Sequence, residues 1–419
     1  MGTASPMTPA RAPLKSLDDA LAELLQSAAP LERFERLSTF AADGRVLAQD
    51  VVSELQVPAH DNSSMDGYAL RCADVAQPGA VLAVSQRIAA GSSGEALLQG
   101  TAARIFTGAP IPSGADAVVM QEDCVSVSVK PDANHIQVNT MPKSGQWIRR
   151  AGEDVAQGAV VLSKGHRLSP ASLGLAASVG LSHLRVARAP RVALFSTGDE
   201  LVMPGDVAPG EMKPGAIYNS NRFFLRALLI RLGCTVTDFG IVPDRLDATL
   251  NALQTASTEH DVILTSGGVS VGEEDHIKPA VQALGELNMW QIAIKPGKPF
   301  AYGKVGAAHF MGLPGNPVSS FITFLILVRP FLLTLQGVRD LTVPSVEVPA
   351  HFSWAKADKR REFLRVRRNA KGGLDLFPNQ SSGVLTSAVW GDGVVDNPPG
   401  RTLAHGDHVQ FIAFSDLLS

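Results

Sequence analysis

DVILTSGG, at residues 261–268, is a nearly continuous apolar run that ends in two glycines. A run of this kind is typical of a parallel strand that is buried on both faces. Strand-like and helix-like patterns alternate around it, from Arg191 to about residue 337. The alternating segments are RVALFSTG, YNSNRFFLRALLIRLG, TVTDFGIV, LDATLNALQTAS, HIKPAVQAL and HFMGL. This rhythm predicts a doubly wound α/β domain.

The patterns outside this region predict three further domains. Ser16 can cap a helix, and helical periodicity is expected over residues 16–49. Short β-branched runs between turn residues predict a β-rich insertion, and similar runs near the C-terminus predict a small β-barrel. The predicted division is a disordered tail (1–15), a discontinuous helical and mixed linker domain (16–50 with 151–188), the β-rich insertion domain (51–150), the α/β domain (189–338) and the C-terminal β-barrel (339–419).

Composition excludes several classes of protein. The 419 residues carry a net charge of -3, so no global basic field attracts nucleic acid or a membrane surface. The three scattered cysteines form no CxxC pair, which argues against a disulfide framework and fits a reducing, cytoplasmic setting. The apolar run Val318–Leu335 is interrupted by Arg329-Pro330, and it predicts a buried helix in place of a membrane span.

Candidate ligand-binding turns follow the predicted strands. In an open α/β sheet, ligands bind beyond the carboxyl ends of the strands. SGGVSVGEED (266–275) offers Gly267, Gly268, Ser266 and Ser270, which allow close backbone approach to an anion and supply hydroxyl donors. The order matches neither GxGxxG nor a P-loop, so dinucleotide and P-loop readings are unsupported. A lone glycine-rich loop is also compatible with a plain tight turn.

Acidic residues are expected at the same sheet edge. Glu200, Asp244 and Asp275 follow three different strands. Carboxylates beside an anion-binding turn repel the anion unless a cation lies between them. Mg²⁺ held by one or two carboxylates plus a substrate phosphate removes this repulsion. Glu200 and Asp275 are the predicted metal ligands. The sequence thus favours a ligand with several negative charges together with a divalent cation.

Two further turns extend this edge. KPGKP carries Lys295 and Lys298, which can act as point charges for an oxyanion, with Pro299 stiffening the loop. In GLPGNPVS, Asn316 can cap a helix with Pro317 at its first position. A solvated basic turn and a simple helix start are the alternative readings. The basic strand RREFLRVRR (360–368) is compatible with an oxyanion pocket or a plain surface.

The motifs DNSSMDGYA, TGAPIP, GQWIRRAGED, FSTGDEL, SGGVSVGEED, IKPGKPFAYG and GLPGNPVS occur in this order. From about residue 16 to the C-terminus, the chain resembles the molybdopterin molybdenumtransferase family, to which bacterial enzymes and the gephyrin E-domain belong. The resemblance implies an elongated homodimer whose α/β domain is of molybdopterin-binding type. It also implies Mg²⁺-dependent insertion of molybdate into the dithiolene of adenylyl-molybdopterin, with release of AMP, and possible transient contact with other cofactor-biosynthesis proteins.

The resemblance also assigns site residues by motif. It places residues of the insertion domain in the partner subunit's cleft, acids at the nucleotide and metal end, and cations on the molybdate side. Asp66 and Thr107 come from the insertion, and Asp154 lies nearby; the acids are Glu200, Asp244 and Asp275; the molybdate side comprises Lys295, Lys298, Pro299, Arg360, Arg365 and Ser382, with Pro314 and Pro317 shaping the adjoining loop. Gln291 departs from the family pattern, in which a lysine is common, and the C-terminal motif matches loosely.

Two other functions remain open at this stage. An adenylyltransferase acting on molybdopterin is one, because the α/β domain resembles that fold, and a need for ATP would identify it. A non-catalytic molybdopterin-binding or scaffold protein is the other, since fold does not fix function. Neither alternative needs molybdate-dependent release of AMP.

Overall fold

The computed structural model of the chain describes residues 14–130, 133–268 and 276–418. Ser270 and Asp275, two of the predicted site residues, lie outside the described residues. The same holds for residues 1–13 of the predicted tail.

The first helix packs on the central domain. α1 spans Leu17–Gln26, and Ser16 caps it by accepting a hydrogen bond from the Asp19 amide at 3.0 Å. Its buried face, with Leu17 and Leu24, joins the same apolar core as the central strands. The predicted linker domain places this segment with residues 151–188, whereas the helix buries its apolar stripe against the α/β domain.

The prediction of helix over residues 31–47 is wrong. The chain forms β1 (Phe34–Ser38), which pairs antiparallel with β12 (His183–Ala187). This pairing spans most of the N-terminal half of the chain, so a long-range partner overrides the local helical periodicity. The same region contains β2 (Val51–Val52) paired with β11 (Val160–Leu162), and the predicted helix α2, which spans Pro170–Ser178.

The insertion is a β-structure, as the alternating patterns predict. Its main sheet has the strand order β7-β4-β6-β5-β9-β8, with apolar side chains buried on both faces. A separate pair joins β3 and β10. The strands are β3 (Asn62–Ser63), β4 (Gly67–Leu70), β5 (Ala80–Ile88), β6 (Thr101–Ile105), β7 (Ala117–Met120), β8 (Cys124–Lys130), β9 (Ala133–Val138) and β10 (Ile148–Arg149).

The central domain is a doubly wound α/β sheet. Its order is β16-β13-β17-β21-β20-β18; the first four strands are parallel and the last two are antiparallel additions. The strands are β13 (Arg191–Thr197), β14 (Leu201–Val202), β15 (Ile217–Tyr218), β16 (Thr235–Val242), β17 (Val262–Ser266), β18 (Gly285–Gln291), β19 (Ile294–Lys295), β20 (Pro299–Val305) and β21 (Ala308–Leu313). The helices are α3 (Asn221–Arg231), α4 (Leu246–Glu259), α5 (Ile277–Leu284), α6 (Pro317–Thr323), a π-helical segment (Phe324–Val328) and α7 (Arg329–Leu335).

Helices cover both faces of this sheet. In β13, Val192 and Leu194 face the core shared with α3, α6 and α7, whereas Ala193 and Phe195 face α4 and α5. The continuous helical stretch Pro317–Leu335 is long and apolar enough to cross a membrane by length and composition. It is mostly buried within the protein, as the sequence predicts for this run.

The C-terminal region is a β-domain. Its sheet has the order β19-β23-β25-β26-β22, with β24 paired to β23, so the KPGKP loop enters this sheet through β19. The elements are β22 (Val346–Pro349), β23 (Arg361–Arg368), β24 (Leu374–Leu376), α8 (Thr386–Trp390), β25 (Gly393–Asn397), β26 (His408–Ala413) and α9 (Phe414–Leu418). Short 3-10 turns elsewhere span Thr39–Ala41, Cys72–Asp74, Gln121–Asp123 and Pro209–Glu211.

Asp261 joins the linker strand region to the central sheet. Its carboxylate accepts from Arg33 at 2.5 Å and from Arg191 at 3.1 Å. Burial raises the pKa of Asp261, but the hydrogen bonds from Arg191 and Arg33 outweigh it and hold the pKa below the usual 3.8. This stabilisation is therefore fully present above pH 3.8 and is lost as the pH falls through the lower, folded-state pKa.

Asp261→Asn is expected to destabilise the chain by roughly 2 kcal/mol at pH 7, because two charge-assisted hydrogen bonds are weakened. Urea unfolding midpoints at pH 7 and pH 3 measure this, and the difference between wild type and variant should shrink at the lower pH. Asp247→Asn is the matched control, since Asp247 also accepts from an arginine, Arg245, but at an exposed position. An equal loss in both variants would contradict a special role for Asp261.

Candidate active site

A cavity of about 570 Å³ opens where β13, β16, β17 and β21 end. Each of these parallel strands contributes its following loop to the wall, as expected for an open α/β sheet. The predicted site residues that line this cavity are Glu200, Asp244, Ser266, Gly267, Gly268, Pro299, Pro314 and Pro317. We call this space the sheet-edge cavity.

Two glycines shape the floor of the sheet-edge cavity. Gly267 and Gly268 have φ angles of +92° and +67°, a region that L side chains rarely adopt. A Cβ atom on Gly267 would lie 2.7 Å from the Thr197 carbonyl oxygen, and one on Gly268 would lie 2.5 Å from Ile277 Cγ1. The turn therefore accepts no side chain, and its backbone stays open to a ligand.

Asn221, at the start of α3, connects two loops of the cavity. Its Nδ2 donates to Ser266 Oγ and to the Gly315 carbonyl oxygen, both at 2.8 Å. One amide thus fixes the end of β17 against the loop after β21. The YNSNR pattern predicts only a helix start and does not predict this role; the available signal is the polar cluster that directly precedes the apolar face of α3.

Several buried polar atoms at the cavity lack a partner within the described part of the chain. They are Thr197 Oγ1, Asn219 Nδ2 and Asn221 Oδ1, and each of these residues lines the cavity. Buried polar groups are nearly always hydrogen-bonded in proteins. These atoms give the cavity hydrogen-bonding capacity that fits a polar ligand.

The cavity is acidic. Glu200 and Asp244 both line it, and the Glu200 carboxylate folds towards Gly198, where a Cβ would lie 2.5 Å from Glu200 Oε2. None of the predicted lysines or arginines is among the described lining residues. Over the described ranges, no cluster of three or more His, Cys, Asp or Glu side chains is arranged to hold a metal ion. Two carboxylates nevertheless suffice for Mg²⁺ when a substrate phosphate completes its coordination.

The predicted cations lie together at the boundary with the C-terminal sheet. Lys295 Nζ is 3.0 Å from Glu362 Oε1 and 3.4 Å from Asp358 Oδ2, and Arg360 makes a two-pronged pair with Asp358. The hydrogen bond from Arg360, together with nearby Lys295, holds the pKa of Asp358 far below its usual range. Lys298 lies in the same loop, half-buried, and Gly297 beside it packs against Ser319 and Thr323 of α6.

Arg365 and Ser382 make their described contacts inside the protein, away from the lining of the sheet-edge cavity. Arg365 is almost fully buried, and burial lowers its pKa to about 10. Its guanidinium donates to the Phe363 carbonyl oxygen at 2.9 Å and to Ser387 Oγ at 3.2 Å, so these donors are used inside the domain. The Ser382 carbonyl accepts from the Val318 amide at 2.9 Å, at the start of α6. Neither residue lines the sheet-edge cavity.

The structure brings two insertion residues together. Thr107 donates to Asp66 Oδ1 from both its amide and its hydroxyl, each at 2.8 Å. These two bonds lower the pKa of Asp66 below its usual value. Asp154 is exposed near the junction of the insertion and the linker. All three lie outside the described lining of the sheet-edge cavity.

Three family models match consecutive parts of the chain. They are the MoeA N-terminal region (domain I and II) over residues 15–180, a probable molybdopterin binding domain over 193–334, and the MoeA C-terminal region (domain IV) over 347–414. A molybdopterin molybdenumtransferase of Haemophilus influenzae is 42% identical over 338 residues, which cover 81% of this chain and 80% of the relative. The chain belongs to the molybdopterin molybdenumtransferase family.

Other members of the molybdopterin molybdenumtransferase family agree in sequence and fold. The Nostoc enzyme of that name is 35% identical over 382 residues, covering 88% of this chain and 86% of the relative. A crystal structure of the molybdopterin biosynthesis MoeA protein from Pyrococcus horikoshii superposes with a TM-score of 0.81 at 28% identity, covering 96% of this chain and all of that one. The multidomain α/β architecture with a C-terminal β-domain is thus the fold of this family.

Gln291 is the departure from the family pattern noted in the sequence. It ends β18 opposite Pro299, and its carbonyl accepts from the Lys15 amide at 2.8 Å. Lys15 extends over the Trp290 ring at 4.4 Å and pairs with Glu23. The N-terminal segment therefore adds a lysine beside this strand end, a placement that local sequence does not reveal.

Proposed function

We propose that this chain is a molybdopterin molybdenumtransferase that inserts molybdate into adenylyl-molybdopterin and releases AMP. The observation that carries the proposal is the sheet-edge cavity. It combines a backbone cradle at Gly267 and Gly268 with two carboxylates, and its described lining holds no basic side chain. Such a cavity suits a phosphate only together with a divalent cation, and this matches the reaction implied by the family.

The cradle and the acids have separate roles. Gly267, Gly268 and Ser266 hold the adenylyl phosphate through close backbone approach, with Ser270 extending the same turn in sequence. Glu200 and Asp244 supply carboxylate oxygens that fit Mg²⁺, and Asp275 is the further ligand expected from sequence. Mg²⁺, when bound, supplies charge neutralisation at that phosphate. Pro299, Pro314 and Pro317 fix the walls of the cavity.

Molybdate belongs beside the cavity, at the cations. Lys295, Lys298 and Arg360 stabilise the oxyanion electrostatically while the two dithiolene sulfurs bond to molybdenum and one molybdate oxygen leaves as water with the two thiol protons. Arg365 and Ser382 act as positioning residues, because Arg365 is buried and the Ser382 carbonyl holds the start of α6. This arrangement keeps the metal-binding acids apart from the cations that receive molybdate.

The insertion acts in trans. Asp66, Thr107 and Asp154 do not line the cavity of their own subunit, so we assign them to the cavity of a second copy in a homodimer. The proposal includes the five-part division of the chain, with the α1 helix attached to the α/β domain, and a cytoplasmic location. Cys72, Cys124 and Cys234 are all free thiols, which supports a reducing compartment.

The test is AMP release from purified chain and adenylyl-molybdopterin. Release is expected to need both molybdate and Mg²⁺ and to proceed without ATP. A strict ATP requirement would indicate the adenylyltransferase, and ligand binding without AMP release would indicate a scaffold protein. Mixing two inactive chains, Asp66→Ala and Asp244→Ala, tests the dimer: activity should return on mixing, and no recovery would contradict sites shared between subunits.

A further inference from the structure

Asp358 pairs with two of the three cations that the proposed function assigns to molybdate, Arg360 and Lys295. Arg360 Nε and Nη2 donate to its two oxygens at 2.9 and 2.8 Å, and the Arg360 amide donates at 3.1 Å. Lys295 Nζ is 3.4 Å from Asp358 Oδ2. A carboxylate with two oxygens thus occupies the position where these two side chains would bind an oxyanion.

The second acid of this cluster is held differently. Glu362 has a relative exposure of 1% and lies in β23, where it accepts from Trp354 Nε1 at 2.8 Å and from Lys295 at 3.0 Å. It is a fixed part of the interior. Asp358 lies in the loop before β23, and its side chain keeps 18% of its exposure. Rotation of the Asp358 side chain alone would release Arg360 without unfolding any strand.

The difference in mobility between Asp358 and Glu362 matters because of the net charge of the cluster. Lys295 and Arg360 face two carboxylates, so these four groups sum to zero, and no carboxylate in the described ranges pairs with Lys298. A dianion arriving at this neutral cluster gains little unless one carboxylate leaves. Displacing Asp358 exchanges one negative charge for two on the same donors, which favours a dianion over a monoanion.

We propose that Asp358 is a displaceable internal competitor of the oxyanion: it occupies Arg360 and Lys295 in the free protein and swings away when a tetrahedral dianion binds. This inference rests on the proposed function and specifies how the molybdate site is controlled. It keeps the two cations ordered before the substrate arrives. It also weakens the binding of weaker anions, because each must displace a two-pronged carboxylate.

The test is molybdate binding to the full chain by isothermal titration calorimetry, without adenylyl-molybdopterin. Asp358→Asn keeps the shape of the side chain but removes its charge, so the Kd for molybdate is expected to fall about tenfold. Asp396→Asn is the matched control. Asp396 makes the same two-pronged pair with the neighbouring Arg361, and among the described ion pairs it has none with Lys295. The control should leave the molybdate Kd within a factor of about two of wild type.

Three outcomes would overturn the inference. An unchanged or raised Kd in Asp358→Asn would make Asp358 a positioning residue for Arg360, and an equal gain in Asp396→Asn would indicate a general charge effect. Failure of every folded variant to bind molybdate would remove the oxyanion site itself. AMP release measured on the same preparations distinguishes failure of this inference from failure of the proposed function. An intact molybdate-dependent reaction together with an unchanged Kd would contradict only the competitor role of Asp358. Melting temperatures confirm that each variant is folded.

Discussion

A chain carrying Gly267→Ala is expected to lose at least about 100-fold in molybdate-dependent AMP release. Gly267 has a φ angle of +92°, and an alanine Cβ there would lie 2.7 Å from the Thr197 carbonyl oxygen. The obstructing atom belongs to the backbone of a buried central strand, so it cannot rotate away. The turn must therefore move, which costs about 3 kcal/mol of strain. That strain either unfolds this edge of the central sheet or displaces the glycine turn that would hold the phosphate.

Gly215→Ala is the control for this result. Gly215 has a similar φ angle of +86° in the same domain, but a Cβ there would meet nothing within 4 Å. The Gly215→Ala chain pays only for the left-handed backbone conformation of an alanine, about 1 kcal/mol. Its AMP release should stay near the wild-type rate. Steady-state rates and urea midpoints of both variants separate the two contributions. Equal losses would show that backbone conformation, and not the contact with Thr197, limits this position.

The glycine turn also shows what sequence alone can predict. DVILTSGG is apolar enough to be read as a central strand, and topology places the end of every parallel strand at one edge. That rule places Glu200, Asp244 and Ser266 in one site before any interatomic distance is known. The fold class and the insertion follow from the same local rhythm, since each strand or helix there satisfies its own periodicity.

Long-range partners account for the rest. Local periodicity predicts helix where β1 forms, because its partner β12 lies far along the chain and pairing distant in sequence leaves no local pattern. In the sequence, Arg365 alternates with apolar residues, as a surface cation on a strand would. In the structure its side chain points into the domain, where Ser387 and the Phe363 carbonyl oxygen accept hydrogen bonds from it. The pairing of Lys295 with Glu362 arises because β19 joins a sheet of another domain. Such contacts depend on tertiary structure that periodicity does not encode.

Glu362→Gln is expected to destabilise the C-terminal domain by about 3 kcal/mol. Glu362 is buried, and its carboxylate is the nearer partner of the Lys295 ammonium, which remains only about one-third exposed. Removing the negative charge leaves that ammonium in a poorly solvated position with Asp358 alone, 3.4 Å away. Glutamine fills the same volume, so the loss reports charge and hydrogen bonding rather than a cavity. Urea unfolding followed by tryptophan fluorescence measures it, because Trp354 donates directly to Glu362.

Glu347→Gln provides the comparison within the same sheet. Glu347 lies exposed on β22 and contacts only Gln410 among the described hydrogen bonds, at 3.5 Å. Its neutralisation should change the free energy of unfolding by less than about 0.5 kcal/mol. A similarly small change in Glu362→Gln would mean that Lys295 finds enough solvent or enough support from Asp358. Such a result would contradict the role of Glu362 as the fixed partner that keeps Lys295 in place when Asp358 leaves, so this measurement bears directly on the proposed competition.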